Sequence, residues 1–206
     1  MTGGNRLVYY GAMVKSSTRD ALVHAGTRLL LRSGYQGTGV QDVLAEAKVP
    51  KGSFYHYFDT KEALGIEALR SYFANHESVL DRHLGDTSRR PLQRLRDYFV
   101  ALSRGLEENA WTTGCLVGTL SQELAGRSET FRQAIEEIHE RWHVRIADCL
   151  REAQAAGELR ADANADDLAD FCLSSWQGAL QHMKVQRSDA PLRRFEQVLF
   201  GSVLSA

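Results

Sequence analysis

TGVQDVLAEAKVPKGSFYHYFDTK, residues Thr38 to Lys61, reads as two short helices joined by a tight turn. Thr38 is the expected N-cap, with Gln41 three residues on to complete a capping box or to face outward. Val40, Val43, Leu44 and Ala47 then recur at helical spacing and give the first helix one apolar face. The step Val49-Pro50 ends it, because a residue before proline is pushed out of the α region. Pro50 lacks an N–H and suits the start of the next helix. That second helix, expected from about Lys51 to Phe58, is too short to stand without packing. Phe54 and Phe58, one turn apart, are its anchors. Its outer face carries Lys51, Gly52, Ser53, Tyr55 and His56, with Lys61 just beyond. Tyr57 belongs either to that face or to the core.

Small, polar, aromatic and cationic groups on the first turns of a helix suit a DNA major groove. Phosphates accept from lysine, tyrosine, serine and histidine, and base edges present donors, acceptors and flat apolar surface. With Thr38, Ala47, Val49, Gly52, Tyr55, Phe58 and Lys61 at their present spacing, the segment resembles the helix-turn-helix of the tetracycline-repressor-like (TetR) family of bacterial transcription regulators. The resemblance covers about the first third of the chain. It implies phosphate contacts from Thr38, Ser53, Tyr55, Tyr57 and Lys61, and groove contacts from Gln41, Lys51, Gly52 and His56. His56 as an ordinary surface histidine is the plain alternative. Gly39 departs from the pattern, standing where the family commonly has a second threonine or serine.

Working outward, Ser17-Thr18-Arg19-Asp20 is a helix start with a hydroxyl cap and an acid in the first turn. Leu22, Ala25, Leu29 and Leu30 form its buried stripe, and Gly34 ends it. This helix completes a three-helix DNA-binding domain over residues 15–61, with residues 1–14 expected to be a disordered arm. Arg19 and Arg28 either touch phosphate or are simply solvated. From Lys15 to Lys61 there are seven Lys/Arg against four Asp/Glu, and the first 61 residues carry +4 while the remaining 145 carry −5. A cationic head on an acidic body fits a DNA reader with a separate regulatory part. The three cysteines, Cys115, Cys149 and Cys172, are an odd number without a CxxC pair, which points to a reducing, cytoplasmic setting rather than a disulfide framework. No apolar run reaches the roughly 18 residues of a membrane span, and MTGGNRLVYYGA lacks the charged and apolar regions of a signal peptide.

Residues 62–206 read as helices throughout, so the expected fold is all-α: the three-helix head plus a helical ligand-binding and dimerisation domain. A long helix runs to about Leu84, Pro91 opens another, a helix from Ser128 ends at Gly157, Asn164 caps the next, and Pro191 opens the last. The last two are strongly apolar for surface helices. Leu168, Phe171, Cys172, Ser175, Ala179, Met183, Phe195 and Leu199 are the expected dimer interface, closing a four-helix bundle with the symmetry mate. An ordinary internal core is the alternative. A dimer would place two recognition helices about one DNA turn apart on a palindromic operator.

The second informative stretch is WTTGCLVGTLSQE, residues 111–123. Cys115 follows Gly114 at a helix break, and a helix N-terminus favours thiolate. GCLVGTLSQE, REAQAAGEL and WQGALQHMK also resemble one TetR subgroup, whose regulators respond to electrophiles or to acrylate. In the electrophile-responsive members the cysteine at the position of Cys115 is the sensor. Cys115 as an apolar filler is the alternative. Trp111, Trp142 and Trp176 are expected to wall a small-molecule inducer pocket, with Gln122, Gln177, His139 or His143 as polar groups. Core packing competes with that role for each tryptophan. His139 and His143 have the spacing of a helical metal pair but no third ligand, so neither metal nor cofactor is expected. The sequence thus reads as a ligand-responsive dimeric repressor. The alternatives are the same fold with a purely non-covalent inducer, or a helical cysteine enzyme, for which no motif fixes a base beside Cys115.

Overall fold

A computed structural model describes residues 17–205. The expected N-terminal arm therefore lies outside the described residues. The secondary structure of those residues is helical, with no strand among them. The helices are α1 (Thr18–Ser33), α2 (Val40–Ala47), α3 (Phe54–Tyr57), α4 (Lys61–Leu84), α5 (Pro91–Glu107), α6 (Leu116–Leu124), α7 (Glu129–Ala155), α8 (Ala165–Gln186) and α9 (Ala190–Val198). No helix among them is long and apolar enough to cross a membrane.

Local chemistry explains most of the boundaries. Ser17 and Asp20 exchange hydrogen bonds in a capping box at the start of α1, and Gly34, at φ 70°, ends it. The N-cap of α2 is Gly39 rather than Thr38, and Asp42 rather than Gln41 accepts from the cap's N–H at 2.9 Å. Thr38 instead turns inward and donates to the Gly34 carbonyl at 2.7 Å. Lys48 closes α2 in a left-handed conformation, φ 57°. Pro50 leads into a 3₁₀ turn, Lys51–Ser53, before the single α turn of α3. The segment expected as one helix is thus two short pieces. Asn164 caps α8 by accepting from the N–H groups of Asp166 and Asp167, and Gly157, at φ 70°, stands just past α7.

The chain divides into two compact units whose limits differ from a cut after Lys61. One takes residues 17–75 with 115–138, the other 76–114 with 139–205. In the first, Leu22, Val23, Ala25, Val43, Leu44, Phe54, Phe58 and Leu64 form the buried core of α1 to α4. Here α1 also packs against α6. In the second, Phe99, Trp176 and Phe195 stack with ring centroids 4.9 to 5.4 Å apart. Arg94 is buried there, donates to the Leu84 carbonyl at 2.6 Å and pairs with Glu152.

Candidate functional site

The outward face of α3 is set by its inward one. Phe54 is fully buried and Phe58 nearly so, with ring centroids 5.9 Å apart. Helical rotation then turns the residues between them outward. Tyr55 is 69% exposed and Tyr57 38%, which resolves Tyr57 to the surface. Lys51, Gly52 and His56 are exposed as well, and Ser53 is half-buried. Gln41, freed from the capping role, is exposed on α2. Lys51 makes no ion pair among the described residues. A Cβ added to Gly52 would meet nothing within 4 Å, so no packing inside the chain demands a glycine there.

Other expected contacts point elsewhere. Thr38 is 3% exposed with its hydroxyl committed to Gly34, so its side chain is not on this surface. Lys61 donates to the Tyr35 carbonyl at 2.7 Å and lies over the Tyr35 ring, 4.0 Å from its centroid. Burial pushes the Lys61 pKa down, and the carboxylate of Glu123 partly offsets that. Arg28 pairs with Glu46 at 2.9 Å, and Arg19 pairs with Glu67 at 3.1 Å while lying over Phe58. Both arginines are thus committed to partners within the first unit.

The expected ligand residues fall in both units. In the first, Cys115 is the N-cap of α6 and 9% exposed. Gln122 is exposed. Its neighbour Glu123 is the residue that turns inward, toward the amides of Tyr35 and Gln36. In the second unit, Trp142 is buried and its indole N–H donates to the Tyr98 hydroxyl at 2.7 Å, beside His76. Trp176 is packed in the aromatic stack, so core packing is its role here. Trp111 is half-buried in a left-handed conformation, following Ala110 in another. His143 faces Asp166 and Asp170 at 3.9 and 3.6 Å. The buried side-chain amide nitrogen of Gln177 and Nε2 of His139 find no hydrogen-bond partner among the described residues. No group of three or more His, Cys, Asp or Glu is placed to hold a metal ion among the described residues.

The expected dimer residues on α8 separate into two stripes. Cys172 and Met183 are fully buried within the chain, on the same side as Trp176 and Leu180, and so are not interface residues. Phe171, 45% exposed, lies with Ser175, Gly178 and Ala179 along an open groove of about 320 Å³. Phe195 and Leu199 also line this groove although they are buried, and Leu168 is half-buried. Sequence reading missed His76, Tyr98 and Glu123, because none carries a motif and their partners are distant in sequence.

Comparison with known proteins matches the chain in two stretches. Residues 22–68 match the family described as "Bacterial regulatory proteins, tetR family". Residues 91–199 match "Tetracyclin repressor-like, C-terminal domain". The chain is 40% identical over 192 residues to the HTH-type transcriptional repressor DhaR of Mycobacterium sp. (strain GP1), covering 93% of this chain and 95% of that protein. A crystal structure of regulatory protein TetR from Rhodobacter sphaeroides superposes with TM-score 0.87 at 37% identity, covering 90% of this chain and 98% of that one. The reduced form of E. coli NemR does so with TM-score 0.80 at 28% identity, covering 92% and 97%.

Proposed function

The chain belongs to the TetR family of bacterial transcription regulators, and on that premise we propose that it is a cytoplasmic homodimer that represses from a palindromic operator. Release follows capture of a small electrophile or a short unsaturated acid or aldehyde. The observation that carries the DNA-reading part is the α3 surface: Lys51, Gly52, Tyr55, His56 and Tyr57 exposed on a turn pinned by buried Phe54 and Phe58. Lys51 neutralises a phosphate, and the hydroxyls of Ser53, Tyr55 and Tyr57 donate to phosphate oxygens. Gln41 and His56 reach base edges. Gly52, for which internal packing has no need, lets backbone approach DNA closely.

Dimerisation through α8 and α9 is supported by the exposed stripe of Phe171, Ser175, Ala179 and Val198, apolar enough to favour burial. Cys115 at the N-terminus of α6 is the sensor in the covalent reading. Its sulfur adds to the β-carbon of an unsaturated carbonyl, the π electrons move to the carbonyl oxygen, and the α-carbon takes up a proton. Similarity to a regulator solved in a reduced form supports a thiol role. A non-covalent inducer is favoured by a different observation, the buried unpaired amide nitrogen of Gln177, which an inducer's carboxylate would satisfy. In either case α4, which runs through both units, carries the change to the recognition surface, and the two α3 turns lose register with the operator.

Gel shift on the DNA upstream of the gene tests this, using wild type and Cys115→Ser with N-ethylmaleimide or acrylate. Release by the maleimide in wild type alone identifies Cys115 as the switch. Release by acrylate in both proteins identifies a non-covalent inducer. No shift of any upstream DNA would sink the regulator's proposed operator.

A further inference from the structure

The loop between α1 and α2 is gripped from outside the three-helix head. The carboxylate of Glu123, near the end of α6, accepts from two consecutive backbone amides, Tyr35 at 3.1 Å and Gln36 at 3.0 Å. Gly34 is fitted to this grip. Its φ of 70° favours glycine, and a Cβ there would collide with the Glu123 carboxylate. Around the same loop, Lys61 holds the Tyr35 carbonyl and the Tyr35 ring meets Phe131 edge-on, with centroids 5.4 Å apart. The carboxylate lies just past the C-terminal end of α1, the end of a helix where its dipole disfavours an anion. The two amides and the Lys61 charge hold it there against that field.

We propose that Glu123 is a positioning residue that fastens α6 to the loop leading into the recognition helices, so that the placement of α2 and α3 follows α6. The inference rests on reading the head as a DNA binder and adds the part that couples it to α6. The connection to the head is short. Tyr35 and Gln36 stand three and two residues before Thr38, whose hydroxyl ties back to Gly34, and Gly39 caps α2. At the other end of α6 stands Cys115, its N-cap. The nine residues of α6 make a rod about 13 Å long. A change at its first turn therefore reaches the loop through the Glu123 carboxylate, beside the packing of α6 on α1.

Glu123→Gln keeps the shape but offers one acceptor to two amides and turns an N–H₂ toward the other. The test is hydrogen exchange of the Tyr35 and Gln36 amides in the full chain, together with operator affinity, for wild type, Glu123→Gln and Ser128→Ala. The serine variant removes a hydrogen bond to Glu62 and one from the Phe131 N–H in the same unit while leaving both Glu123–amide bonds in place, so it controls for a loss that is only structural. Both amides are expected to exchange at least about tenfold faster in Glu123→Gln, with operator affinity lower by about tenfold and an unfolding midpoint close to wild type. Ser128→Ala is expected to leave those amides and the affinity unchanged. Unchanged amide exchange in Glu123→Gln, or faster exchange with affinity within twofold of wild type, would overturn the coupling. If wild type binds no upstream DNA, the operator reading has failed instead. Exchange across residues 38–58 then decides: a rise in Glu123→Gln upholds the positioning role, and none refutes it.

Discussion

The hydroxyl of Tyr98 accepts from the Trp142 indole N–H, a group that can only donate, and is also hydrogen-bonded to the buried ring of His76. Burial disfavours a charge on that ring and pushes its pKa down to about 4 from 6.5. Between those values the unfolded chain binds a proton that the folded chain refuses. The His76 contribution therefore costs nothing above pH 6.5 and erodes stability as pH falls toward 4, by about 3 kcal/mol in all. Thermal unfolding at several pH values should show a shallower acid decline for His76→Gln than for wild type. Equal declines would mean the ring is not held neutral. At this scale sequence reading was weakest. A threonine before a helix is a sound cap candidate, yet Gly39 takes the position because the Asp42 carboxylate supplies the bond and Thr38 closes the end of α1 instead. Lys61 was legible as a motif residue, but its partner Tyr35 lies 26 residues away. Gln122 and Glu123 are adjacent, and only the three-dimensional placement of α6 decides which of them faces the loop.

Elements were far more legible, because their ends are marked by local chemistry. Ser17, Gly34, Pro50, Asn164, Gly157 and Pro191 each act at or beside a boundary where their side-chain or backbone preference requires it. The exception is α8. Its residues alternate between an inward stripe, Cys172, Trp176, Leu180 and Met183, and an outward one, Phe171, Ser175 and Ala179. Both are apolar or small, so periodicity alone merges them. The recognition element shows the opposite lesson: α3 has a single α turn after a 3₁₀ turn, and propensity cannot hold it. Packing of Phe54 must do so. Phe54→Ala is expected to destabilise the head by roughly 3–5 kcal/mol, read as a lower denaturation midpoint. A loss under about 1 kcal/mol would show that α3 is not anchored through this ring.

For the whole molecule, a net charge of +4 over the first 61 residues against −5 over the other 145 separates a head suited to phosphate from a body that repels it. In the proposed dimer the partner copy supplies the second head. Phe171→Lys, placed on the outward stripe of α8 together with Val198→Asp on α9, should shift the protein to a monomer in sedimentation while leaving helix content intact. A dimer that persists would move the interface elsewhere. The most direct test of the DNA-reading assignment is operator affinity measured over a range of salt concentration for wild type, Lys51→Ala and Tyr55→Ala. Lys51→Ala is expected to weaken binding and to lower the log–log salt slope by roughly two, one phosphate contact per protomer of a dimer. Tyr55→Ala should weaken binding with a smaller change in slope. Wild-type affinity and slope in both variants would contradict recognition through α3.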